Sequence, residues 1–354
     1  MTTLYPQLIL DALTHVRYPG TGKDLVSSGM VGDDIRIDGR QVSLSILFEK
    51  PNDPFAQSVI KASEQAILTY VGQDIDIKGR IKMQSKALPP PKTEEALTGV
   101  KHIIAIFSGK GGVGKSTVSA NLAVALANAG SKVGLLDADI HGPSIPKMFG
   151  VEDARPRTND NKDKLQIEPV EQFGVKLLSI GFFVDPSDAL IWRGGMASNA
   201  LKQLITEADW GKLDYLLIDM PPGTSDIHLT LVQTVAITGI IIVTTPQEVA
   251  LADARKGFGM FTNRKINVPV LGLVENMSWF TPAEHPENKY YLFGKGGGIR
   301  LAQELQIPLL GQIPLIQSIR EHSDAGTPVV LEHNSLSALA FTKLAEQISL
   351  AISD

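Results

Sequence analysis

A mostly parallel α/β sheet with helices on both faces, preceded by a small N-terminal α+β unit, is the fold this sequence predicts. Three observations carry that prediction. From His102 onward, short apolar runs alternate with segments of helical spacing, the pattern of a parallel sheet covered on both sides. A glycine–lysine string, Gly109-Lys110-Gly111-Gly112-Val113-Gly114-Lys115-Ser116-Thr117, lies between the apolar run Ile103-Ile104-Ala105-Ile106-Phe107 and a helix-like segment from Val118 to Ala129. Ahead of both, Pro89-Pro90-Pro91 and Thr93-Glu94-Glu95 read as a stiff polar linker over 87–98, which separates 1–86 from 99–354.

The elements follow in order. Within 1–86 a helix is expected from Tyr5 to Val16, then a turn at Tyr18-Pro19-Gly20-Thr21-Gly22. Alternation predicts paired strands at Ile35-Arg36-Ile37 and from Val42 to Phe48. Helical spacing from Ala56 to Val71 and a closing strand over Ile75-Asp76-Ile77-Lys78-Gly79 complete the unit. Beyond the linker, strands are expected at 103–107, 133–137, 175–180, 214–219, 238–244, 270–275 and 308–313. Helices are expected at 116–129, 196–207, 248–263, 297–305 and 335–352. In an open sheet of this kind the ligand crevice lies outside the carboxyl ends of the strands.

Strand, glycine loop and helix together form the context of a phosphate-binding loop. Glycines let the backbone curl so that several N–H groups point into one hollow, and the helix adds its positive end. Lys115 is placed to meet the β- and γ-phosphates of a nucleoside triphosphate, and the Ser116 hydroxyl to bind Mg²⁺. Lys110, a second lysine inside the loop, can point away towards a phosphate held by a facing subunit. The same string reads Gly109-x-Gly111-x-x-Gly114, a dinucleotide fingerprint with Asp137 as the ribose contact. That rival explains neither Lys115 nor Ser116.

Two carboxylate motifs follow strand ends. Val133-Gly134-Leu135-Leu136-Asp137-Ala138-Asp139 ends in two aspartates that share a face if the strand continues. One would hold Mg²⁺ through water and the other would orient an attacking water. Leu216-Leu217-Ile218-Asp219 brings a further carboxylate to the Mg²⁺ water shell, and Pro221-Pro222-Gly223 lets the Gly223 N–H sense a γ-phosphate. No strong general base stands out, which predicts slow nucleotide hydrolysis by positioning and charge neutralisation.

Composition narrows the function classes. The chain has 354 residues, 43% of them hydrophobic, enough for two domains with a large core. Its net charge of -5 argues against a nucleic-acid binder. No apolar run has the length of a membrane span, and Met-Thr-Thr-Leu-Tyr-Pro has no signal-peptide character, so a cytoplasmic protein is expected. There is no cysteine, hence no disulfide, thiol nucleophile or thiolate ligand.

The string Lys110-Gly111-Gly112-Val113-Gly114-Lys115-Ser116 resembles the deviant Walker A loop of the MinD/ParA class of P-loop NTPases. Asp137-Ala138-Asp139-Ile140-His141-Gly142-Pro143-Ser144, Trp192-Arg193-Gly194, Asp214 to Thr224 and Glu275-Asn276-Met277-Ser278 narrow the resemblance to the Mrp/ApbC branch of iron–sulfur cluster carrier ATPases. The N-terminal unit, with Ser28-Gly29-Met30-Val31, resembles SufT-type assembly domains. This resemblance implies a homodimer binding two ATP molecules, with Lys110 reaching the partner's nucleotide. It implies Asp139 as the switch I aspartate, Asp219 as the switch II aspartate and Asn276 near the adenine base. It also implies apo iron–sulfur clients or assembly factors as partners.

One departure matters. Most members of the family this chain resembles carry a Cys-x-x-Cys shortly after the Asn-Met-Ser segment, at positions that correspond roughly to Pro282 and His285 here. Iron–sulfur clusters are held chiefly by thiolates, so the usual ligands are absent. His285 with Glu284 from two subunits would suit Zn²⁺ or Fe²⁺ better than a cluster. A nucleotide-switched scaffold that holds no cluster is therefore an alternative. Spatial positioning, as by MinD or ParA, ranks last, because the C-terminal helix from Leu336 to Ile352 has Lys343 as its only basic residue.

Overall fold

The computed structural model describes residues 4–32, 34–48, 53–85, 97–161, 164–183, 194–264, 266–282, 284–285 and 287–353. Most of the expected linker, together with Trp192 and Arg193, lies outside these residues. The chain divides into two compact units, Met1–Pro89 and Pro90–Asp354.

The first unit comprises α1 (Pro6–Leu13), β1 (Arg36–Asp38), β2 (Gln41–Phe48), α2 (Ala56–Tyr70) and β3 (Ile81–Ser85). β2 is central, antiparallel to β1 and parallel to β3. Ile9, Leu13, Leu44, Ile46, Phe48 and Ile67 form its buried core. The closing strand expected at 75–79 is not there. Ile75 and Ile77 are buried, but Asp76 makes only a single bridge to Gln41, and the strand begins at Ile81.

The second unit contains, in order, β4 (Val100–Phe107), α3 (Lys115–Asn128), β5 (Val133–Asp137), α4 (Ile145–Met148), β6 (Arg157–Asn161), β7 (Lys164–Glu168), β8 (Val170–Gln172), β9 (Val175–Ser179), α5 (Gly194–Thr206), β10 (Leu213–Asp219) and α6 (Asp226–Thr234). It continues with β11 (Gly239–Thr244), α7 (Glu248–Phe261), β12 (Val270–Glu275), α8 (Gly297–Leu305), β13 (Leu309–Gln312), α9 (Gln317–Asp324) and α10 (Leu336–Ser353). The main sheet runs β13-β12-β11-β4-β10-β5-β9-β8, parallel except for the β8–β9 pair. β6 and β7 form a separate antiparallel hairpin.

β4 shows how the sequence builds two cores. Ile104 and Ile106 point to one face, against α3 and α10. Ile103, Ala105 and Phe107 point to the other, against α5, α6 and α7. Alternation with both faces buried gives an unbroken apolar run rather than an alternating one. β4 and β10 lie side by side with Asp219 opposite Ile106, so the glycine loop and the second carboxylate motif leave the sheet at neighbouring points.

Candidate functional site

The glycine loop turns between β4 and α3. Gly114 has φ +80° and caps α3. The positive φ requires glycine, and a Cβ there, 2.2 Å from the Asn276 amide nitrogen, would also push that side chain aside. Gly109 faces helix α7 with no room either: its Cβ would meet the Asp253 backbone at 2.3 Å. The loop thus lies between the backbone of α7 and the Asn276 side chain.

A cleft of about 270 Å³ opens above it, lined by Gly111, Gly112, Val113, Gly114, Lys115, Ser116 and Thr117. Ser108, Asp139, Ser144, Met148 and Pro222 complete the wall. Behind the cleft Asp219 is fully buried. Its carboxylate accepts from Ser116 Oγ at 2.6 Å and from Ser119 Oγ at 2.5 Å, and pairs with Lys115 Nζ at 2.8 Å. The Lys115 ammonium also donates to Ser116 Oγ at 3.2 Å. Lysine, serine and aspartate from two neighbouring strand ends therefore share one charge cluster. Hydroxyl and carboxylate oxygens side by side are hard donors of the kind Mg²⁺ takes.

The expected pairing of Asp137 with Asp139 is corrected here. β5 ends at Asp137, so the two do not share a strand face. Asp137 is fully buried and accepts from the backbone N–H groups of Asp139, Ser144 and Ile145 and from Ser179 Oγ. It shapes the turn that carries Asp139 into the cleft wall. Burial, together with the nearby Asp219 charge, pushes the Asp137 carboxyl up to about 7.

Other expected site residues lie around the cleft rather than in its lining. Lys110 is half-buried and, among the described residues, makes no ion pair. Asn276 is buried and donates to the Val113 carbonyl at 2.8 Å, bracing the loop from below. The Gly223 N–H, expected to face a γ-phosphate, donates to the Ser108 carbonyl at 2.9 Å in this conformation.

Three residues escaped the sequence reading. Ser119 sits one turn beyond Ser116 on α3, a spacing that places both hydroxyls on one helix face. Ser108 Oγ is buried at the cleft wall without a hydrogen-bond partner. His228 fastens the loop after Asp219 to helix α6.

A second glycine–lysine run, Gly294-Lys295-Gly296-Gly297-Gly298, leads into the first turn of α8. Its helix N-terminus already holds an anion: the buried Glu275 carboxylate accepts from the Gly298 N–H at 2.5 Å and from Gln312 at 2.7 Å. In the loop where the resemblance leads one to expect a Cys-x-x-Cys, His285 is exposed and pairs with Glu287 at 3.4 Å rather than with Glu284. No cluster of three metal-ligating side chains occurs among the described residues. Trp279 and Phe280 are half-buried, whereas Tyr290 and Tyr291 are 50% and 40% exposed. No helix among the described residues is long and apolar enough to cross a membrane.

A parallel sheet with a glycine loop, an invariant-type lysine and a carboxylate on the neighbouring strand defines a P-loop NTPase. The family described as NUBPL iron-transfer P-loop NTPase matches residues 99–349, and an iron–sulfur cluster assembly protein family matches residues 6–78. The chain belongs to this iron-transfer P-loop NTPase family. It is 44% identical over 348 residues to an iron–sulfur cluster carrier protein of Synechocystis, covering 98% of this chain and 97% of the relative. A carrier protein of Haemophilus influenzae is 50% identical over 341 residues, covering 94% and 88%. Among solved structures, a nucleotide-binding protein of Archaeoglobus fulgidus in complex with ADP is 38% identical with a TM-score of 0.60, covering 70% of this chain and 95% of its own. The cell division ATPase MinD of Pyrococcus furiosus is 27% identical with a TM-score of 0.51, covering 70% and 98%. The resemblance to the MinD/ParA class and the α/β sheet read from sequence are both borne out.

Proposed function

We propose that this chain is a dimeric ATPase of iron–sulfur cluster assembly that works with ligands borrowed from a client or a small thiol. The observation that carries the nucleotide part is the cluster of Lys115, Ser116 and Asp219 at the cleft floor. Lys115 would turn to the β- and γ-phosphates of ATP. Ser116 would hold Mg²⁺ directly, with Asp219 and Asp139 reaching it directly or through water. Bound there, Mg²⁺ would neutralise charge on the phosphate oxygens. Asp139, at the cleft wall, would orient the attacking water. The backbone N–H groups of Gly109 to Thr117 supply the rest of the cradle.

Lys110 supports the dimer part, since it stands beside the cleft without lining it. Lys110→Ala is expected to leave ATP affinity within about threefold while lowering hydrolysis by about 10³-fold, the scale of a cation supplied across an interface. Titration with a fluorescent nucleotide and a phosphate-release assay separate the two effects. Loss of affinity would show that Lys110 serves its own nucleotide.

Carriage of the cluster is supported by the family and opposed by the ligand chemistry, because the chain has no cysteine. That one fact favours the second reading, a nucleotide-switched scaffold with no cluster of its own. Reconstitution with iron and sulfide without oxygen, followed by metal and sulfide analysis, decides between them. Stoichiometric retention, transferable to an apo client, supports carriage. Near-zero retention with ATP binding intact supports the scaffold.

A further inference from the structure

The segment after Asp219, Pro221-Pro222-Gly223-Thr224-Ser225, is fastened from outside the phosphate loop. His228 Nε2 lies 3.0 Å from the Pro221 carbonyl and Nδ1 lies 3.1 Å from the Ser225 backbone nitrogen. The Pro221 carbonyl only accepts and the Ser225 N–H only donates, so a neutral ring with its proton on Nε2 serves both. The Ser225 hydroxyl and carbonyl also stand 3.1 and 3.2 Å from Nδ1. Ser225 and His228 form the reciprocal capping box of helix α6, with histidine where glutamate or glutamine is usual. The ring is fully buried, edge-on to Phe107 at 5.4 Å. Burial holds its basicity below the ordinary histidine range, which suits the neutral form.

The fastening matters because of what lies between the two ends. Pro221 and Pro222 have no N–H and fixed φ, so Gly223 and Thr224 supply the only inner donors. The Gly223 N–H is held by the Ser108 carbonyl, and Gly223 has φ +76°. A loop tied at both ends by one ring moves as a unit, and its middle donor then has two alternative acceptors, Ser108 or a third phosphate. We propose that His228 is a positioning residue that, by bridging Pro221 and Ser225, presents the Gly223 N–H to a γ-phosphate and so sets the preference for nucleoside triphosphate over diphosphate. This rests on the reading of the cleft as an ATP site. His228 hydrogen-bonds none of Lys115, Ser116 or Asp219, so the diphosphate end of the site is held independently of it.

The test compares the full-length protein with His228→Leu and His228→Gln, measuring affinity for ADP and for a non-hydrolysable ATP analogue, each with Mg²⁺. His228→Leu is expected to keep ADP affinity within about twofold and to lose about tenfold of its triphosphate preference, roughly one hydrogen bond's worth. His228→Gln retains a donor and an acceptor at the capping-box position and is expected to restore the preference to within about threefold. If His228→Leu does not fold, the glutamine variant carries the test, with His228→Asn, too short to bridge both groups, as its unrescued counterpart. Preference unchanged in the leucine or asparagine variant would overturn the proposal, as would a wild-type protein that binds both nucleotides equally. A wild-type protein that binds neither would instead overturn the ATP-site reading.

Discussion

Lys115→Met is expected to destabilise the protein by about 3–5 kcal/mol in the absence of nucleotide, the cost of leaving one member of a buried ion pair alone. Lys115 is 6% exposed and Asp219 is fully buried, with 2.8 Å between the charged atoms. Asp137, also fully buried, feels the same ammonium. Methionine keeps the apolar stem and removes only the charge, so packing loss is minor. Nucleotide binding is expected to vanish as well, since Lys115 is the cation proposed to meet the phosphates. The double variant Lys115→Met/Asp219→Asn separates the two losses. It is expected to regain at least about half of the lost stability, because no buried charge is left unpaired, yet still to bind no nucleotide. Urea unfolding of the three proteins provides the comparison, and equal destabilisation of single and double variants would refute the charge argument.

The second large effect is on pH. Folded Asp137 keeps its proton up to about 7, whereas its ordinary value is 3.8. Between those values the folded chain binds the extra proton, so this residue's contribution to stability is fully present below about 4 and declines as pH rises towards 7. Across that interval the change is on the order of 4 kcal/mol. Asp214 and Asp34 act in the opposite sense: hydrogen bonds lower them, and their smaller contribution is lost on acidification. Asp137→Asn removes the titration while keeping one acceptor oxygen. The stability difference between wild type and Asp137→Asn should therefore shrink as pH rises from 5 to 8. A difference independent of pH would show that Asp137 titrates as an ordinary carboxyl.

What was legible in the sequence was what burial and backbone chemistry make unambiguous. Strands such as Ile103–Phe107 and Leu216–Asp219 read correctly because a strand buried on both faces must be apolar throughout. The glycine loop read correctly because left-handed backbone and close approach leave glycine little competition. Elements with weak signals were missed. β3, with Lys82 and Gln84, lies at an edge and has no two-sided core to declare it, while Ile75 and Ile77 alternate like a strand yet pack as a turn. Helix α6 is short and follows two prolines, and its start was coded by Ser225 and His228 rather than by the usual glutamate.

The candidate site divides along the same line. Lys115, Ser116 and Asp219 could be placed from motif spacing, because each is fixed by the strand or helix it ends or begins. Asp137 could not, since whether it faces the cleft depends on where β5 stops. The second glycine–lysine run shows the converse difficulty. Local sequence alone does not reveal that a carboxylate from a neighbouring strand, Glu275, has taken the anion's place.

The Lys115–Asp219 pair has a thermodynamic consequence for loading. A turn of Lys115 towards a phosphate would weaken its pair with Asp219, and Asp219 has no exposure through which water could compensate it. A divalent cation beside Asp219, where Mg²⁺ is proposed to sit, would restore the balance and would loosen Lys115. The affinities for metal and nucleotide are therefore linked, and reciprocity requires each to raise the other by the same factor. Such a site is expected to bind the magnesium–nucleotide complex more tightly than either component by itself.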